Sequence, residues 1–514
     1  MNISSYASFE KSKTNISIPI FLNGKAACSL YDPEKEADNF STLPEFSKSQ
    51  FFIIGGCGCG LHIKKLEEKY PNAVICVLED TIETLEFWKT HTQYHPKNCT
   101  FCTFTTLEET ILKTYYPPFH GDFCFKTLRS WENFHKNKTD KILFIIKNAL
   151  KKISADISVQ SHFGKLWHRN IILNYKLCSL PDIKLVDFYN SSFPLSKKAI
   201  VCGAGPGLDY SLKNLKTNRK NYYIVATDTS YQVLLEHAII ADALVTADAQ
   251  HISLYHFSKG IFSNTLYISD LSGSAVAARI AYKNKCPILF YNGGHPLSSY
   301  ISLLNKKNIF PQFSAGSGSV TLAAIDFITK AGFSKFEVLG ADFSYLNGKT
   351  YTNGTYLDIL YNIKACRFLS IEKQFCSLMF RTPLKNEIVK IRTLSYPLTI
   401  QGCTTEVLES YRASFNKFML LHNKTTKDVN TPNKITHNLD IKFMLTPFDF
   451  EFFKNSFITD LNKLLNSENL TFFTIPKSIY PYCAFTSRLN SNSISDIKKT
   501  LVKIINKTKK LCGD

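Results

Sequence analysis

Apolar runs of strand length, glycine-rich turns and helical periodicity alternate in residues 51–80. The run 51–54 precedes a loop with Gly56, Gly58 and Gly60, then apolar residues at helical spacing, then a second run, 73–78. This order is typical of a strand, a turn, a helix and a second parallel strand. The second run ends in Glu79 and Asp80, where nucleotide-binding Rossmann domains carry an acid for ribose. The pattern predicts a Rossmann-like domain over residues 1–138. Its glycines either approach a nucleotide or S-adenosylmethionine, or only let helix and strand pack closely.

A second pattern of this kind begins near Lys198. Helical stretches separate its strand-like runs, which predicts a mostly parallel sheet. The runs are 199–202, 222–227, 243–247, 265–269, 288–291 and 336–339. We therefore predict an α/β chain in which a central Rossmann-like domain spans residues 181–402.

The two regions outside these α/β patterns have helical periodicity. Residues 139–180 are predicted to be a connector made of a helix pair. Residues 403–514 are predicted to be mainly helical, since "TTEVLESYRASFNKFMLL" is amphipathic.

Length, cysteine content and charge narrow the class of protein. At 514 residues and 44% apolar composition, the chain predicts two to four domains. No apolar run is long enough for a membrane span, and the first residues lack a secretory signal. Fifteen cysteines without such a signal favour reduced thiols and a cytoplasmic location. Cys57 and Cys59 lack a partner pair at ligand spacing, so no metal site is predicted. The net charge of +19 comes from lysines spread along the chain, which makes nucleic-acid binding an unfavoured interpretation.

Polar residues follow the central strands where each strand ends. In an open parallel sheet, ligands bind outside these carboxyl ends. A glycine- and hydroxyl-rich segment, 317–319, also precedes a helix, whose first N–H groups can bind an anion. We therefore predict a nucleotide pocket at this rim of the sheet. The residues concerned are Gly203, Gly205, Pro206, Asp228, Asp248, Gln250, His251, Ser317, Gly318, Ser319, Asp342, Tyr345 and Tyr351.

The turn "GAGPGL" is neither of the two common phosphate-binding loops. No Gly-Lys-Ser/Thr follows it, and Asp209 stands near the place of the third glycine of the dinucleotide motif. We expect its glycines to let the main chain approach a ligand, with the helix after Pro206 pointing its positive end there.

Four segments together resemble the DUF115 family, which contains the motility-associated (Maf) flagellin glycosyltransferases. They are "GAGPGL", "ATDTSYQVLLEHAIIADALVTADAQ", "SAGSGSVTLAAIDF" and "GADFSYLNGKTYTNGT". "SLYDPEKEADNF" and "FGKLWHRNIILN" also look like segments of that family, so the resemblance covers most of residues 20–400.

The resemblance implies a catalytic domain similar to bacterial CMP-sialyltransferases. It implies transfer of a nonulosonic acid, pseudaminic or legionaminic, from its CMP derivative to Ser/Thr hydroxyls of flagellin, with no other cofactor. It also implies that CMP is held by Gly203, Gly205, Asp228, Ser317 and Gly318. The sequence departs from the family at Gly207, where Ser is common, and at Tyr351, in a segment where many relatives have His.

Such a transfer needs a base for the acceptor proton and donors for the leaving phosphate. The candidate bases are His251, His295 and Asp342, although a histidine can equally be structural and Asp342 can cap a turn. Hydroxyls of Ser317, Ser319, Tyr345 and Tyr351 are candidate donors.

Two other functions compete with this interpretation. A diphosphokinase of the 6-hydroxymethylpterin type needs clustered carboxylates for Mg²⁺, and the chain has no Asp-x-Asp pair. A flagellin-binding chaperone with a decayed site would not need the polar rim.

Overall fold

The computed structural model describes residues 4–305, 309–314, 319–428, 438–445, 448–468, 470, 474–488 and 494–513. The chain divides into two compact units. The first contains Met1–Lys165 and Leu461–Ile505, and the second contains Leu166–Asp460 and Asn506–Asp514. The domain boundaries expected from the sequence stay predictions.

The first unit contains a parallel sheet of four strands in the order β5–β4–β3–β6, beside an antiparallel pair, β1–β2. This confirms the Rossmann-like arrangement, because the fully buried strands are the continuous apolar runs of the sequence. Its strands are β1 (Tyr6–Lys11), β2 (Ser17–Phe21), β3 (Ser49–Gly55), β4 (Val74–Glu79), β5 (Cys99–Thr103) and β6 (Asp122–Thr127). Its first helices are α1 (Pro33–Ser41), α2 (Leu61–Lys69), α3 (Ile82–His91), α4 (Leu107–Thr114), α5 (Pro117–His120) and α6 (Arg129–Phe134).

The predicted helix pair over residues 139–180 is wrong. The structure has one helix of 40 residues, α7 (Thr139–Cys178). No proline interrupts this stretch. Its single glycine, Gly164, is explained by packing, because a Cβ there would overlap the main-chain carbonyl of Pro481. Gly164 therefore lets the main chain at Pro481 come close to α7 and does not interrupt the helix.

The second unit contains a parallel sheet of six strands in the order β11–β10–β9–β8–β7–β12. The mostly parallel sheet predicted from the sequence is thereby confirmed, and strands β8, β11 and β12 have the predicted bounds. The strands are β7 (Lys198–Cys202), β8 (Tyr222–Thr227), β9 (Ala243–Thr246), β10 (Leu266–Asp270), β11 (Ile288–Tyr291) and β12 (Phe336–Leu339). The helices among them are α8 (Leu212–Thr217), α9 (Asp228–Glu236), α10 (Ala275–Lys283), α11 (Pro296–Leu304) and α12 (Val320–Lys330).

A small antiparallel sheet in the order β13–β15–β14 follows the parallel one, and the sequence pattern did not predict it. Its strands are β13 (Tyr345–Leu346), β14 (Lys385–Ile391) and β15 (Leu398–Thr404). Helices α13 (Tyr356–Lys364) and α14 (Ile371–Met379) precede β14. The mainly helical character of the C-terminal region is confirmed by α15 (Glu406–Asp428), α16 (Phe450–Leu465), α17 (Tyr480–Ser487) and α18 (Ile494–Cys512).

None of the helices in the described part of the chain is long and apolar enough to cross a membrane.

Strand order reverses between β7 and β12. Strands β7 to β11 are added one after another on one side, and β12 lies on the other side of β7. Ligands of open α/β sheets bind at such a reversal, outside the carboxyl ends of the strands. The fold therefore places the turn after β7 and the segment after β12 where a ligand is expected.

Candidate active site

A cleft of about 330 Å³ lies at the carboxyl ends of β7, β8 and β12. We call it the strand-end cleft. The start of α12 and side chains from α14 and α15 complete its walls. Of the residues predicted from the sequence, the cleft brings together Gly205, Asp228, Ser319, Asp342, Tyr345 and Tyr351.

Asp342 follows β12 and is the carboxylate at the strand reversal. Its Oδ2 accepts a hydrogen bond of 2.6 Å from the main-chain N–H of Gly207. Burial raises the pKa of Asp342 to about 6, with a further contribution from Asp209, although the Gly207 N–H opposes the shift. A carboxylate whose pKa is near neutrality can accept a proton at working pH.

The glycine turn after β7 makes room for the segment after β12. A Cβ at Gly203 would lie 2.6 Å from the Gly340 carbonyl oxygen, and one at Gly205 would overlap the Asp342 carboxylate. The N–H groups of Gly203 and Gly205 donate to the carbonyls of Leu339 and Gly340, both at 2.8 Å. These donors are therefore used within the protein, and the turn contributes to the site by positioning Asp342. A direct contact of its glycines with CMP stays a prediction.

The α-helix expected directly after Pro206 is not there. Residues Pro206–Tyr210 form a short 3₁₀ helix, and α8 begins only at Leu212. The side chain of Asp209 in this turn accepts a hydrogen bond from Thr352 and lies 3.6 Å from the Lys349 ammonium. The turn is thus held by contacts with the segment 349–352, and it does not point the N-terminus of an α-helix at the cleft.

Phe343, directly after Asp342, has a left-handed backbone with φ +50°. Such a conformation costs about 1–3 kcal/mol for a bulky residue and persists only where its surroundings hold it. The Phe343 carbonyl accepts bonds from Arg412 at 2.9 Å and from Thr404 at 3.1 Å. Arg412 also forms an ion pair with Glu387, which lowers the pKa of that carboxyl group. This network holds the turn that directs Asp342 and Tyr345 into the cleft.

Asp228 is the first residue of α9 and is 5% exposed. Its carboxylate accepts hydrogen bonds from Thr246 at 2.9 Å and from the N–H of Thr229 at 2.8 Å. Asp248, after the neighbouring strand β9, is bonded to the Gln250 N–H at 2.8 Å. Burial raises the pKa of Asp248, and the charge of Asp228 raises it further. The charge of Asp228 is therefore felt at Asp248, although the two residues follow different strands.

The remaining predicted rim residues lie outside the strand-end cleft or outside the described residues. Gln250 and His251 are exposed at the start of a 3₁₀ helix. Gly203, Pro206 and Asp248 do not line the cleft, although the first two adjoin lining residues in the sequence. Ser317 and Gly318 lie outside the described residues, whereas Ser319 is at the cap position of α12. The N–H groups at the start of an α-helix favour negative charge, and at the start of α12 the Leu322 N–H donates to the Ser319 carbonyl at 3.2 Å, whereas those of Val320 and Thr321 precede it.

His295 has a structural role at a helix start. Its Nδ1 accepts a hydrogen bond of 3.1 Å from the Leu297 N–H at the beginning of α11. Its ring packs edge-on against Trp167, with centroids 5.7 Å apart. Burial lowers the pKa of His295 to about 3, so the ring is neutral at physiological pH. It does not line the strand-end cleft, which leaves Asp342 as the candidate base inside it.

Sequence reasoning missed the contribution of the later helices. Leu378 of α14 and Leu408 and Tyr411 of α15 line the cleft. The helical spacing of Leu408 and Tyr411 was visible in the sequence, but the pattern did not indicate which parts of the chain this helix would contact.

It also missed what α7 does at the opposite end of the rim. The buried amide of Asn170 donates to the carbonyls of Ala249 and Ser272, at 3.0 and 3.2 Å. Asn174, one turn later, donates to those of Leu271 and Gly273, at 2.9 and 3.0 Å. Two residues of the segment "FGKLWHRNIILN" therefore hold the loops that follow β9 and β10.

In the first unit, protein atoms fill the space that the glycines leave. A Cβ at Gly56 would lie 2.9 Å from Trp131, and one at Gly58 would lie 2.6 Å from the Cys28 sulfur. Glu79 is fully buried and accepts bonds from Tyr6, from the Cys57 N–H and from Trp131, at 2.6, 2.6 and 2.8 Å. This favours close packing over a nucleotide contact as the explanation of that glycine turn.

Comparisons with known proteins agree with this architecture. Residues 169–348 match the family model described as 6-hydroxymethylpterin diphosphokinase MptE-like. A solved structure, the MAf glycosyltransferase from Magnetospirillum magneticum AMB-1, is similar in fold. Its TM-score is 0.52 at 10% identity, over 99% of this chain and 91% of that one.

Two uncharacterized proteins of Treponema pallidum (strain Nichols) are similar in sequence. One is 34% identical over 151 residues, which are 29% of this chain and 70% of that protein. The other is 35% identical over 158 residues, 30% of this chain and 51% of that protein, so the match spans about half of the second relative.

The fold is thus the α/β architecture of a MAf glycosyltransferase. The chain belongs to the same protein family as the first Treponema pallidum relative, whose name states no function.

Proposed function

We propose that this protein is a glycosyltransferase that moves a nonulosonic acid from its CMP derivative onto Ser/Thr hydroxyls of flagellin. The observation that carries the proposal is the strand-end cleft. It joins a carboxylate with a pKa near 6, a helix start and tyrosine hydroxyls at the strand reversal. The fold shared with a protein named as a MAf glycosyltransferase supports it.

In the proposed reaction, Asp342 acts as the base. The acceptor hydroxyl oxygen forms a bond to the anomeric carbon of the sugar, and its proton passes to the Asp342 carboxylate. The bond between that carbon and the phosphate oxygen breaks, and CMP leaves with the electron pair. The Gly207 N–H holds the carboxylate that receives the proton through its hydrogen bond to Oδ2.

Negative charge grows on the departing phosphate, and the cleft has groups suited to stabilise it. The start of α12 at Ser319 contributes N–H groups, and Tyr345 and Tyr351 contribute hydroxyls. Burial raises the pKa of both tyrosines, so both remain protonated donors at neutral pH. We propose that these groups replace a metal ion and that no cofactor other than the CMP-sugar donor is required. The reaction on flagellin would take place in the cytoplasm, before export, and would be needed for motility.

One observation favours a second function, a diphosphokinase of the 6-hydroxymethylpterin type. The family model that matches residues 169–348 carries that description. Phosphoryl transfer of this kind needs carboxylates for Mg²⁺, and the rim has Asp228 and Asp248 after two neighbouring strands. In this alternative, Asp228 would be a metal ligand rather than a contact for CMP.

Nucleotide preference tests the proposal. CMP should raise the melting temperature more than AMP, GMP or UMP, because the proposed donor is a CMP derivative. Saturation at 100 times Kd stabilises a protein by about 2.7 kcal/mol, which a melting curve readily shows. The shift should be unchanged in EDTA. Equal shifts with all four nucleotides would contradict the proposal, and a shift only with ATP and Mg²⁺ would favour the diphosphokinase.

A further inference from the structure

A second cleft, of about 210 Å³, borders the same segment after β12. We call it the edge cleft. It shares the wall Gly340–Phe343 with the strand-end cleft, so Asp342 lines both. Its other walls come from β14, from Arg392 and from α15. A group bound in the edge cleft would therefore lie next to the candidate base without occupying the nucleotide side.

In the described part of the chain, two strands with an unpaired edge line this cleft. Among the described residues, β12 is the end strand of the parallel sheet and pairs only with β7. β14 is likewise the end strand of the antiparallel sheet and pairs there only with β15. The outer edge of such a strand presents N–H and C=O groups that an extended peptide can bind. The edge cleft contains Val338 on one side and Ile388 to Lys390 on the other.

The charge of the edge cleft indicates which peptide fits. Lys385, at the start of β14, is paired with Glu409 at 2.7 Å. Lys390 and Arg392 are exposed, and no acidic side chain in the described part of the chain forms an ion pair with either. Arg412 is already neutralised by Glu387. Two cations in the cleft are therefore available for an anionic partner.

We propose that the edge cleft binds an extended, acidic segment of the acceptor polypeptide. The main chain of this segment forms hydrogen bonds with an unpaired strand edge, and its acidic side chains form ion pairs with Lys390 and Arg392. A Ser or Thr of the segment then reaches Asp342 at the shared wall. This inference rests on the proposed function, since it assigns the acceptor side of the same site.

Binding of labelled hexapeptides, followed by fluorescence anisotropy, tests the inference. The probes are the capped peptides EESVEE and KKSVKK, and EESVEE with N-methyl groups on alternate residues. The acidic peptide should bind at least about tenfold more tightly than the basic one. N-methylation should weaken binding by a similar factor, because it removes donors for the strand edge without changing any charge.

Charge reversal in the protein supplies the matched control. The double variant Lys390→Glu, Arg392→Glu should bind the acidic peptide at least about tenfold more weakly than the wild type does. It should keep the CMP-induced thermal shift. Lys385→Glu, on the same strand but outside the cleft, should bind the peptide within about twofold of the wild type.

Each failure has a separate meaning. Equal binding of acidic and basic peptides, no binding of any peptide, or binding indifferent to N-methylation overturns the inference and leaves the CMP shift as evidence for the proposed function. Loss of the CMP shift in the Lys390/Arg392 variant also overturns it, because the cations would then serve the nucleotide. Peptide discrimination without any CMP shift in the wild type contradicts the proposed function and keeps the docking surface.

Discussion

The main-chain N–H of Gly207 donates a hydrogen bond of 2.6 Å to Asp342, and a Cβ at position 207 would overlap the same carboxylate. The turn after β7 and the acid after β12 are thus fitted to each other, although 135 residues separate them. The position of the candidate base depends on a glycine that itself carries no reactive group.

Gly207→Ala should reveal this fit as an energetic coupling. The added methyl group displaces the carboxylate, so the free energy of unfolding should fall by about 1–3 kcal/mol. In an Asp342→Ala background the cost should be smaller, although Ile391 still lies 2.6 Å from the added atom. Urea denaturation of the wild type, the two single variants and the double variant measures the coupling. An equal cost in both backgrounds would show that the fit is not between these two residues.

The pKa of Asp342 predicts the pH dependence of transfer. Burial raises it to about 6, and a base must be ionised to accept a proton. The rate should rise about tenfold per pH unit below pH 6 and level off above it. A profile of kcat/KM from pH 4.5 to 8 shows this limb, which should be absent in the residual activity of Asp342→Asn. A wild-type rate that stays constant from pH 5 to 7 would exclude Asp342 as the base.

Asn170 and Asn174 should stabilise the rim through the loops that they hold. Replacing either by Ala leaves two buried carbonyls without their donors, which costs about 1–3 kcal/mol per unsatisfied group. Chemical denaturation should show this loss, together with a smaller CMP-induced thermal shift. Asn190→Ala is the matched control, since Asn190 is exposed and should change stability by no more than about 0.5 kcal/mol. Equal effects at all three positions would argue against a role of α7 in the rim.

Glu79 should affect stability and not nucleotide binding. Burial raises its pKa to about 7 from 4.5, so the folded state holds the proton more tightly than the unfolded state. Stability from this group is full below about pH 4.5 and is lost as the pH rises to 7. Glu79→Gln should remove that part of the pH dependence, measured as melting temperature between pH 4.5 and 7.5. The exposed Glu68→Gln should not change the slope. Loss of the CMP shift in folded Glu79→Gln would contradict the packing role of this acid.

β3, β4 and the six strands of the second unit could be predicted because burial makes each of them a nearly continuous apolar run, whereas β5 and β6 are partly exposed and lack such a run. The position of the rim could be predicted as well, since Asp228 directly follows the run of β8 and Asp342 comes three residues after the run of β12. Helical periodicity over 139–180 did not show that α7 is a single helix, and the packing that explains Gly164 within it involves the distant Pro481.

The contacts that form the site join residues that are distant in the sequence, so local sequence patterns could not predict them. Gly205 and Gly207 are spaced like ligand-binding glycines, yet the space beside them is occupied by Asp342. In the small antiparallel sheet, β13 has only two residues, and β14 and β15 are half-exposed, so they lack the apolar runs that identified the central strands. Tyr411 reaches the cleft only through the packing of α15.

The intact mass of flagellin tests the central claim most directly. Purified protein, flagellin and a CMP-nonulosonic acid are incubated with excess EDTA. Flagellin should gain the mass of one or more nonulosonate residues, with CMP released in the same amount as without EDTA. An unchanged flagellin mass, or a gain that stops in EDTA and returns with Mg²⁺, would contradict the metal-free transfer assigned to Asp342, the start of α12 and the tyrosines.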